Sequence, residues 1–471
     1  MASHSIEQAT IESFENDLRG DLIRPDDHEY HDSRAVWNGM IDKYPALIAR
    51  CAGAADVMAS IQFARDTDLP IAVRGGGHNV SGSAVCDDGL VIDLSEMSAV
   101  TVDPETRSAW VQGGALWADV DHETQAFGLA APGGVVSDTG VAGLTLGGGI
   151  GHLRCAHGLS CDNLRSVNLV TAEGEFVRAS RDENPTLFWA LRGGGGNFGV
   201  VTSFEFELHP VGPEVAFCLT FYHADDLPQV LARYRDAVNA SPDEISTLTF
   251  AGELPDEEVF DEADLQEPKI AVLGCHCGDP AIGEVQLQPF RELAEPIIDF
   301  SGTIPYVELQ QLLDNDYPDG MRYYWNSLFL DDLTDSAITR IAYWAESAPS
   351  SLSTVDVWEL GGRITDIGLD ESAFAGRHAP YLLGVEANWE DPEMDDANVA
   401  WVRDCLEDMR QYSDGSVYLN FPGFLEDNDT MLEATFGATY ERLQTVKDEW
   451  DPENVFNLNQ NIKPTGTDRP R

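Results

Sequence analysis

Residues able to do chemistry are concentrated in three glycine-rich stretches. The first is RGGGHNVSG, residues 74–82. Consecutive glycines directly after an apolar run let the backbone take positive φ and approach a ligand closely. Successive backbone N–H groups in such a loop make a nest that suits an anion such as a pyrophosphate. The second stretch, PGGVVSDTGVAGLTLGGGIGHLRCAHGLSCDNL, covers residues 132–164, with glycine at 133, 134, 140, 143, 147, 148, 149 and 151. A helix would lose up to about 1 kcal/mol at each of these, so a backbone lying flat against a planar group is the better reading. The third, RGGGGNFGVVTSFEF at residues 192–206, leads from another glycine patch into a strand. The first loop lacks GxGxxG spacing and the surrounding βαβ unit with an acidic residue about 20 positions on, which argues against an NAD-linked dehydrogenase.

The elements that must hold these loops follow from apolar periodicity. ALIARCAGAADVMASIQFARDTDLPIAVRGGG, from Ala46, reads strand, helix, strand, with Val57, Ile61 and Ala64 on one helix face. LVIDL, AVTV and AWVQGG are short β-rich pieces bounded by turn residues. Residues 116–127 read as a helix, VNLVTAEGEFVRAS as a hairpin turning at EG, residues 185–192 as a short helix stopped by Gly193, and GVVTSFEFELHP as a strand. Beyond Pro210 the glycine clusters end. Helix-like LPQVLARYRDAV, EVQLQPFRELAEPI and AITRIAYWAESA alternate there with β-like STLTFAGEL, KIAVLGCHC, VDVWELGGRI and YLLGVEANW. The tail runs SVYLNFPGF, then helix-like YERLQTVKDEW, then turn-rich DPENVFNLNQNIKP.

In this order the glycine stretches, within residues 71–210, closely resemble the PCMH-type FAD-binding domain of the vanillyl-alcohol-oxidase superfamily, and within it the berberine-bridge-enzyme-like oxidases. YLNF at 418–421 and the following DPENVFNLNQNIKP resemble that family's C-terminal segment; RYYWNSLFL, GGRITDIG and AFAGRHAPYLLGVEANW match more loosely. The chain exceeds the about 250–300 residues at which single cores stop growing. The resemblance implies a two-domain α+β fold, with residues 1–205 binding FAD, residues 206–410 forming an α+β substrate domain, and residues 411–471 completing the FAD-binding domain.

The resemblance also implies covalent FAD, joined through its 8α-methyl to His78; the plainer reading of RGGGH is a turn histidine that only hydrogen-bonds. Many members add a cysteinyl bond. Val136 stands at that position here, so no cysteinyl link is expected, and Cys155 and Cys161 lie elsewhere. Cys155 replaces a basic residue usual in the family. Thr139 occupies the place beside the flavin that helps set oxygen access, which leaves the acceptor open between oxygen and another oxidant. The implied cofactor contacts are Arg74, Gly75, Gly76, Gly77, His78, Asn79, Gly82, Ser137, Thr139, Gly143, Gly148, Gly149, Gly151, His152, Val201, Tyr418, Asn420 and Asn459.

Tyr418 matches the first aromatic of the family's YxNY segment, where a tyrosine serves as base, and Phe421 replaces the second. A free tyrosine titrates near about 10, so Tyr418 would need a positive or hydrogen-bonding neighbour to act. The alternative is a ring that only packs on the flavin. Glu386 and Asn388 alternate along YLLGVEANW, which makes Glu386 the second candidate for the base. Tyr323, Tyr324 and Trp325 read as substrate-face aromatics or as core. The implied reaction is hydride transfer from a hydroxyl-bearing small molecule (a sugar, alcohol or secondary metabolite) to FAD. A flavin-binding protein without turnover and an oxidative cyclase acting on a secondary metabolite are the alternatives.

Composition sets the surroundings. Of 471 residues, 82 are acidic and 28 basic, a net charge of −54, and the only lysines are Lys43, Lys269, Lys447 and Lys463. The acid is spread along the chain, densest in PDEEVFDEAD at residues 255–264. Self-repulsion on this scale destabilises a compact state at low salt and is screened within about 3 Å at 1 M, so a high-salt cytoplasm is expected rather than a merely acidic mesophilic protein. Nucleic acid is excluded as a partner, because phosphate binding needs basic surface. The eight cysteines are scattered, and Cys275-His276-Cys277 lacks the second pair that a structural zinc site requires, so no metal is expected and KIAVLGCHC reads as a buried strand. No apolar run reaches the roughly 20 residues of a membrane span, and MASHSIEQATIESFENDLRG lacks the regions of a secretory signal. A cytoplasmic enzyme with a small-molecule substrate is expected, its oligomeric state left open.

Overall fold

The computed structural model describes residues 6–252, 269–423 and 428–466; the acidic PDEEVFDEAD segment lies outside them. Strand, helix and strand form as read, at Leu47–Arg50, Ala54–Thr67 and Ile71–Arg74. Leu47–Arg50, Leu90–Asp93 and Ile71–Arg74 run parallel in that order, with Asp21–Ile23 antiparallel on the edge. All of Leu90–Asp93 is buried, as expected for a parallel strand covered on both faces. The helix Ala54–Thr67 buries Val57, Ile61 and Ala64.

A second sheet is antiparallel, in the order Val100–Asp103, Ser108–Gln112, Val200–Glu207, Leu164–Val170, Phe176–Ser180. Its last pair is the expected hairpin, closed by the Thr171 N–H donating to the Glu175 carbonyl at 2.9 Å. The first glycine loop therefore leaves the parallel sheet at Arg74, and the third enters the second sheet at Val200.

The third sheet is also antiparallel and larger. Its order is Pro296–Asp299, Glu214–His223, Lys269–His276, Ile245–Gly252, Thr354–Glu359, Tyr381–Trp389, Arg322–Leu330, with Gly302–Pro305 also pairing Glu214–His223. The helices Leu227–Val238, Asp335–Glu346 and Asp395–Met409 pack on it. Lys269–His276 is buried throughout, and among the described residues no cluster of His, Cys, Asp or Glu could hold a metal.

Two local expectations change. EVQLQPFRELAEPI is not one helix but two short ones, Pro280–Gln286 and Gln288–Arg291, followed by the strand Pro296–Asp299. Pro289 lacks the N–H that would continue the first helix. A helix at Asn428–Phe436, unmarked by any clear periodicity, joins the tail to Tyr440–Trp450.

The tail is anchored on the region that carries the glycine loops. Lys447 Nζ donates to the Asn197 carbonyl at 2.8 Å, Ile462 N–H donates to Asn197 Oδ1 at 3.0 Å, and Asn197 Nδ2 donates to the Gln460 carbonyl at 3.1 Å. Arg442 lies over the Trp189 ring at 3.7 Å. Tyr418 N–H also reaches the third sheet, donating to Ser327 Oγ at 3.0 Å. Among the described residues no helix is long and apolar enough to cross a membrane.

Candidate active site

The three glycine loops, the third sheet and the tail enclose a cavity of about 420 Å³. Loop one forms its first wall through Gly75, Gly76, Gly77, His78 and Asn79. Gly76 lies against loop two so closely that a Cβ there would stand 2.5 Å from Gly140 Cα. The backbone N–H groups of Gly76, Gly77, His78 and Asn79 meet no acceptor among the described residues. Gly77 is buried, His78 and Asn79 are half-buried and Gly76 is exposed; a run of four successive free amides in residues that line a cavity fits an anionic group such as a pyrophosphate.

His78 is held by stacking. Its ring lies 4.1 Å from Trp37 at 17°, and Trp37 lies 3.7 Å from Tyr323 at 10°. Trp37 is itself fixed by its Nε1–H donating to the Tyr317 carbonyl at 2.8 Å. The neighbouring Asn38 ties the loop to the third sheet, its Nδ2 donating to the carbonyls of Val80 at 2.7 Å and Tyr323 at 2.9 Å. His78 Nε2 stands 3.3 Å from Asp138 Oδ1, but the approach is misaligned and both atoms remain without a hydrogen bond. An oriented imidazole with an unpartnered nitrogen on the cavity wall is suited to hold a group placed there. Val136 is on the wall, and no cysteine is; all eight cysteines are buried and free.

Tyr418 is fixed by donors. Its hydroxyl oxygen accepts from Gly149 N–H and Ile150 N–H, each at 3.2 Å, and from Asn420 Nδ2 at 2.7 Å. Asn420 Nδ2 is oriented by also donating to the Leu144 carbonyl at 3.0 Å. Burial pushes the Tyr418 phenol up to about 12, and the three donors, which favour phenolate, offset only part of that. At neutral pH the phenol therefore keeps its proton.

A pair of carboxylates lies across Phe421 from Tyr418. Asp356 and Glu386 sit on paired antiparallel strands, with Thr354 opposite Glu386 and Asp356 opposite Gly384. Both line the cavity and each is only 2% exposed. Glu386 Oε2 accepts from the Tyr317 hydroxyl at 3.0 Å. Burial pushes Asp356 up to about 7. Burial and then the charge of Asp356 push Glu386 well above the usual carboxylate range.

The expected site residues divide. Gly75, Gly76, Gly77, His78, Asn79, Thr139, Gly143, Val201, Glu386, Tyr418, Asn420 and Asn459 line the cavity. Arg74, Gly82, Ser137, Gly148, Gly149, Gly151 and His152 do not, each for a local reason. The Arg74 guanidinium turns away to pair with Asp93 at 2.6 Å. Gly82 faces Ile41, and Ser137 Oγ donates to Asp314 at 2.6 Å. Gly148, at φ 123°, makes room for Phe374, Gly149 for Ser160, and Gly151 for the Gly133 backbone. His152 is buried off the wall, its imidazole driven down to about 3 by desolvation and then by Arg154. The density of glycine at 147–151 therefore serves protein packing as well as the cavity. Of the three aromatics, Trp325 lines the cavity, Tyr323 stacks on Trp37, and Tyr324 faces away, accepting from Arg403 Nε at 3.1 Å.

Sequence reasoning missed Trp37 and Asp356. Trp37 precedes the first strand read from the sequence, in a stretch without apolar periodicity. Asp356 is a single acid inside VDVWEL; its placement within an otherwise buried strand was the available signal.

The fold and this cavity define an FAD-binding protein of the vanillyl-alcohol-oxidase, PCMH type. Residues 45–180 match the FAD binding domain family and residues 417–463 the berberine and berberine-like family. The chain is 31% identical over 465 residues to (R)-6-hydroxynicotine oxidase of Paenarthrobacter nicotinovorans, covering 96% of this chain and 98% of that protein. It is also 31% identical to an FAD-linked oxidoreductase of Bacillus subtilis, covering 95% of this chain and 97% of the relative. The crystal structure of 6-hydroxy-D-nicotine oxidase from Arthrobacter nicotinovorans matches with a TM-score of 0.85 at 30% identity, over 95% of this chain and 98% of that one. Glucooligosaccharide oxidase of Acremonium strictum, described with a 6-S-cysteinyl, 8α-N1-histidyl FAD, shares the fold at a TM-score of 0.84 and 22% identity, over 97% of this chain and 99% of that one. The chain belongs to the berberine-bridge-like family of FAD-linked oxidoreductases.

Proposed function

We propose that this chain oxidises a small organic molecule by hydride removal, with FAD held covalently by His78 alone. The observation that carries this is the wall on which a stacked, unpartnered imidazole and four free amides face the same cavity as Tyr418. Bound FAD would supply the chemistry of accepting a hydride from the substrate carbon. The residues do the rest. Loop one would cradle the pyrophosphate, His78 would hold the ring system through its 8α-methyl, and Val136 offers no sulfur for a second bond.

Hydride leaves a carbon more readily once the attached hydroxyl has lost its proton. Tyr418 can take that proton only in its ionised form, whose phenolate oxygen Asn420, Gly149 and Ile150 would steady, so this route gains as pH rises toward about 12. Asp356, with Glu386 beside it, is the other acceptor on the wall. A hydroxyl-bearing substrate is one form of this reading. Oxidation beside nitrogen is the second, favoured by a wall that bears Asp316, Asp356 and Glu386 but, among the described residues, no lysine or arginine. Thr139 is on the wall, and oxygen or another oxidant takes the electrons afterwards. The division at residues 205 and 410, and work in a salt-rich cytoplasm, complete the proposal.

The test is an anaerobic screen of alcohols, sugars and amines against the yellow protein in molar salt. Bleaching of the flavin by at least one class is the expected result. A protein whose flavin never bleaches is a binding protein without turnover, and the proposal fails.

A further inference from the structure

Resting on that hydride-removal reading, we propose that the substrate is an organic amine bound as its ammonium, held by Asp356 and Glu386 against the aromatic wall of Trp325, Trp358 and Phe421.

The carboxylates lack a cation. Both are almost fully withdrawn from water and both line the cavity, yet among the described residues no lysine or arginine stands on its wall. Burying a carboxylate without a counter-charge costs several kcal/mol. Asp356 Oδ1 has no hydrogen-bond partner, and Trp358 Nε1 on the same wall has none either. The unpartnered oxygen is thus placed to receive an N–H from a molecule in the cavity. Glu386 is better supplied, through the Tyr317 hydroxyl.

The charge state suits this role. Burial raises both carboxyls, Asp356 to about 7, so the pair keeps at least one proton at neutral pH and its negative charge, at most one, grows as pH rises through about 7. The groups facing it are Tyr317, Thr354 and the further acid Asp316, none of them cationic. Beside the pair the wall also offers rings: Phe421 lies 5.6 Å from Trp325 at 73° and 6.4 Å from Trp358 at 67°. Edge-to-face rings make a concave surface on which a cation gains from the π faces. Arg154 lies 5.5 Å from the Trp358 ring, but it is off the cavity wall and bound to the carbonyls of Gly151, Thr247 and Glu359. Tyr418, 5.1 Å from Phe421, sits at the other end of this surface. Before hydride removal the bound ammonium would pass its N–H proton to the Asp356 carboxylate, leaving the free amine whose lone pair supports loss of hydride from the adjacent carbon and formation of the iminium product.

The test measures binding to the flavin-loaded protein under anaerobic conditions, by calorimetry and by quenching of tryptophan emission. Four aromatic probes are compared: benzylamine, benzyltrimethylammonium (a cation without N–H), benzyl alcohol and benzoate. Both cations should bind about tenfold or more tightly than the alcohol, the scale of a desolvated charge contact, and benzoate should not bind. Cation affinity should fall as pH drops through about 7, where Asp356 takes up its proton. In Asp356→Asn the cation preference should vanish while the flavin spectrum and content stay unchanged, which separates lost recognition from lost folding. Equal binding of amine and alcohol, no binding of either cation, or an undiminished cation preference in both Asp356→Asn and Glu386→Gln overturns the proposal. A protein that bleaches with alcohols yet ignores the cations keeps the oxidoreductase reading and loses only this one.

Discussion

Lys447→Met should destabilise the protein far more than any other lysine change at the tail. Lys447 and Asp451 are a fully buried pair, each 0% exposed, with Nζ to Oδ2 at 2.7 Å. The same ammonium also donates to the carbonyls of Asn197 at 2.8 Å and Phe456 at 2.9 Å. Methionine keeps the length and the apolar stem. It leaves Asp451 without its counter-charge and two carbonyls without a donor. Removing one partner of a buried pair costs about 3–5 kcal/mol. Lys463 is the control. Its pair with Asp429 is half exposed, at 45% and 50%, so Lys463→Met should cost no more than about 1 kcal/mol. Urea unfolding of the flavin-loaded protein measures both. The loss should be local before it is global, because Phe456, Asn459 and Gln460 line the cavity. Hydrogen exchange over residues 454–463 should therefore quicken in Lys447→Met under native conditions. Equal costs for the two substitutions, or unchanged exchange in that segment, would refute the reasoning that this pair pins the tail to the cavity.

Further outcomes follow from the buried acids and the surface. Asp121, buried and bonded to Gln310 at 3.1 Å, is raised to about 7, so the fold resists its ionisation. That penalty is absent below the unfolded value near 3.8 and grows as pH rises through about 7. Asp121→Asn should therefore stabilise the protein at pH 8 by up to about 4 kcal/mol and much less at pH 5; equal effects in urea unfolding at the two pH values would contradict this. Thermal melts should rise steeply from about 0.1 M to about 1 M KCl as the screening length falls from about 10 Å to about 3 Å, since none of the four lysines is fully exposed to offset the −54 net charge; a flat response would remove the high-salt reading. Tyr418→Phe should slow anaerobic flavin reduction by roughly 10²–10⁴-fold, and in the wild type the rate should climb with pH toward about 12. A plateau above about 7, with little effect of the substitution, would move the base to Asp356.

The parts of the site that were legible are those written in local sequence. RGGGH shows both the need for close backbone approach and the imidazole beside it, and Val136 and the YLNF segment are equally plain. What stayed hidden depends on pairing between distant strands. Asp356 and Glu386 are 30 positions apart, and only the register that sets Thr354 opposite Glu386 brings them together. Trp37 gives no periodic signal, because its role comes from stacking on His78 from a different part of the chain. The glycine run at 147–151 read as a surface for a planar group. Much of it instead admits Phe374, Ser160 and the tail's Asn420, contacts over long sequence separation that spacing cannot reveal. Pro289 did mark the break in EVQLQPFRELAEPI, where apolar pattern outweighed it in the reading.

The most direct test of the central claim is peptide mass mapping after acid precipitation. The precipitate should stay yellow, and the mass of the flavin should reside on the peptide that contains His78, with no flavin on any cysteine. His78→Ala should release FAD on the same treatment. Flavin found free in the supernatant of the unaltered protein, or attached at Cys155 or Cys161, would contradict the assignment of His78.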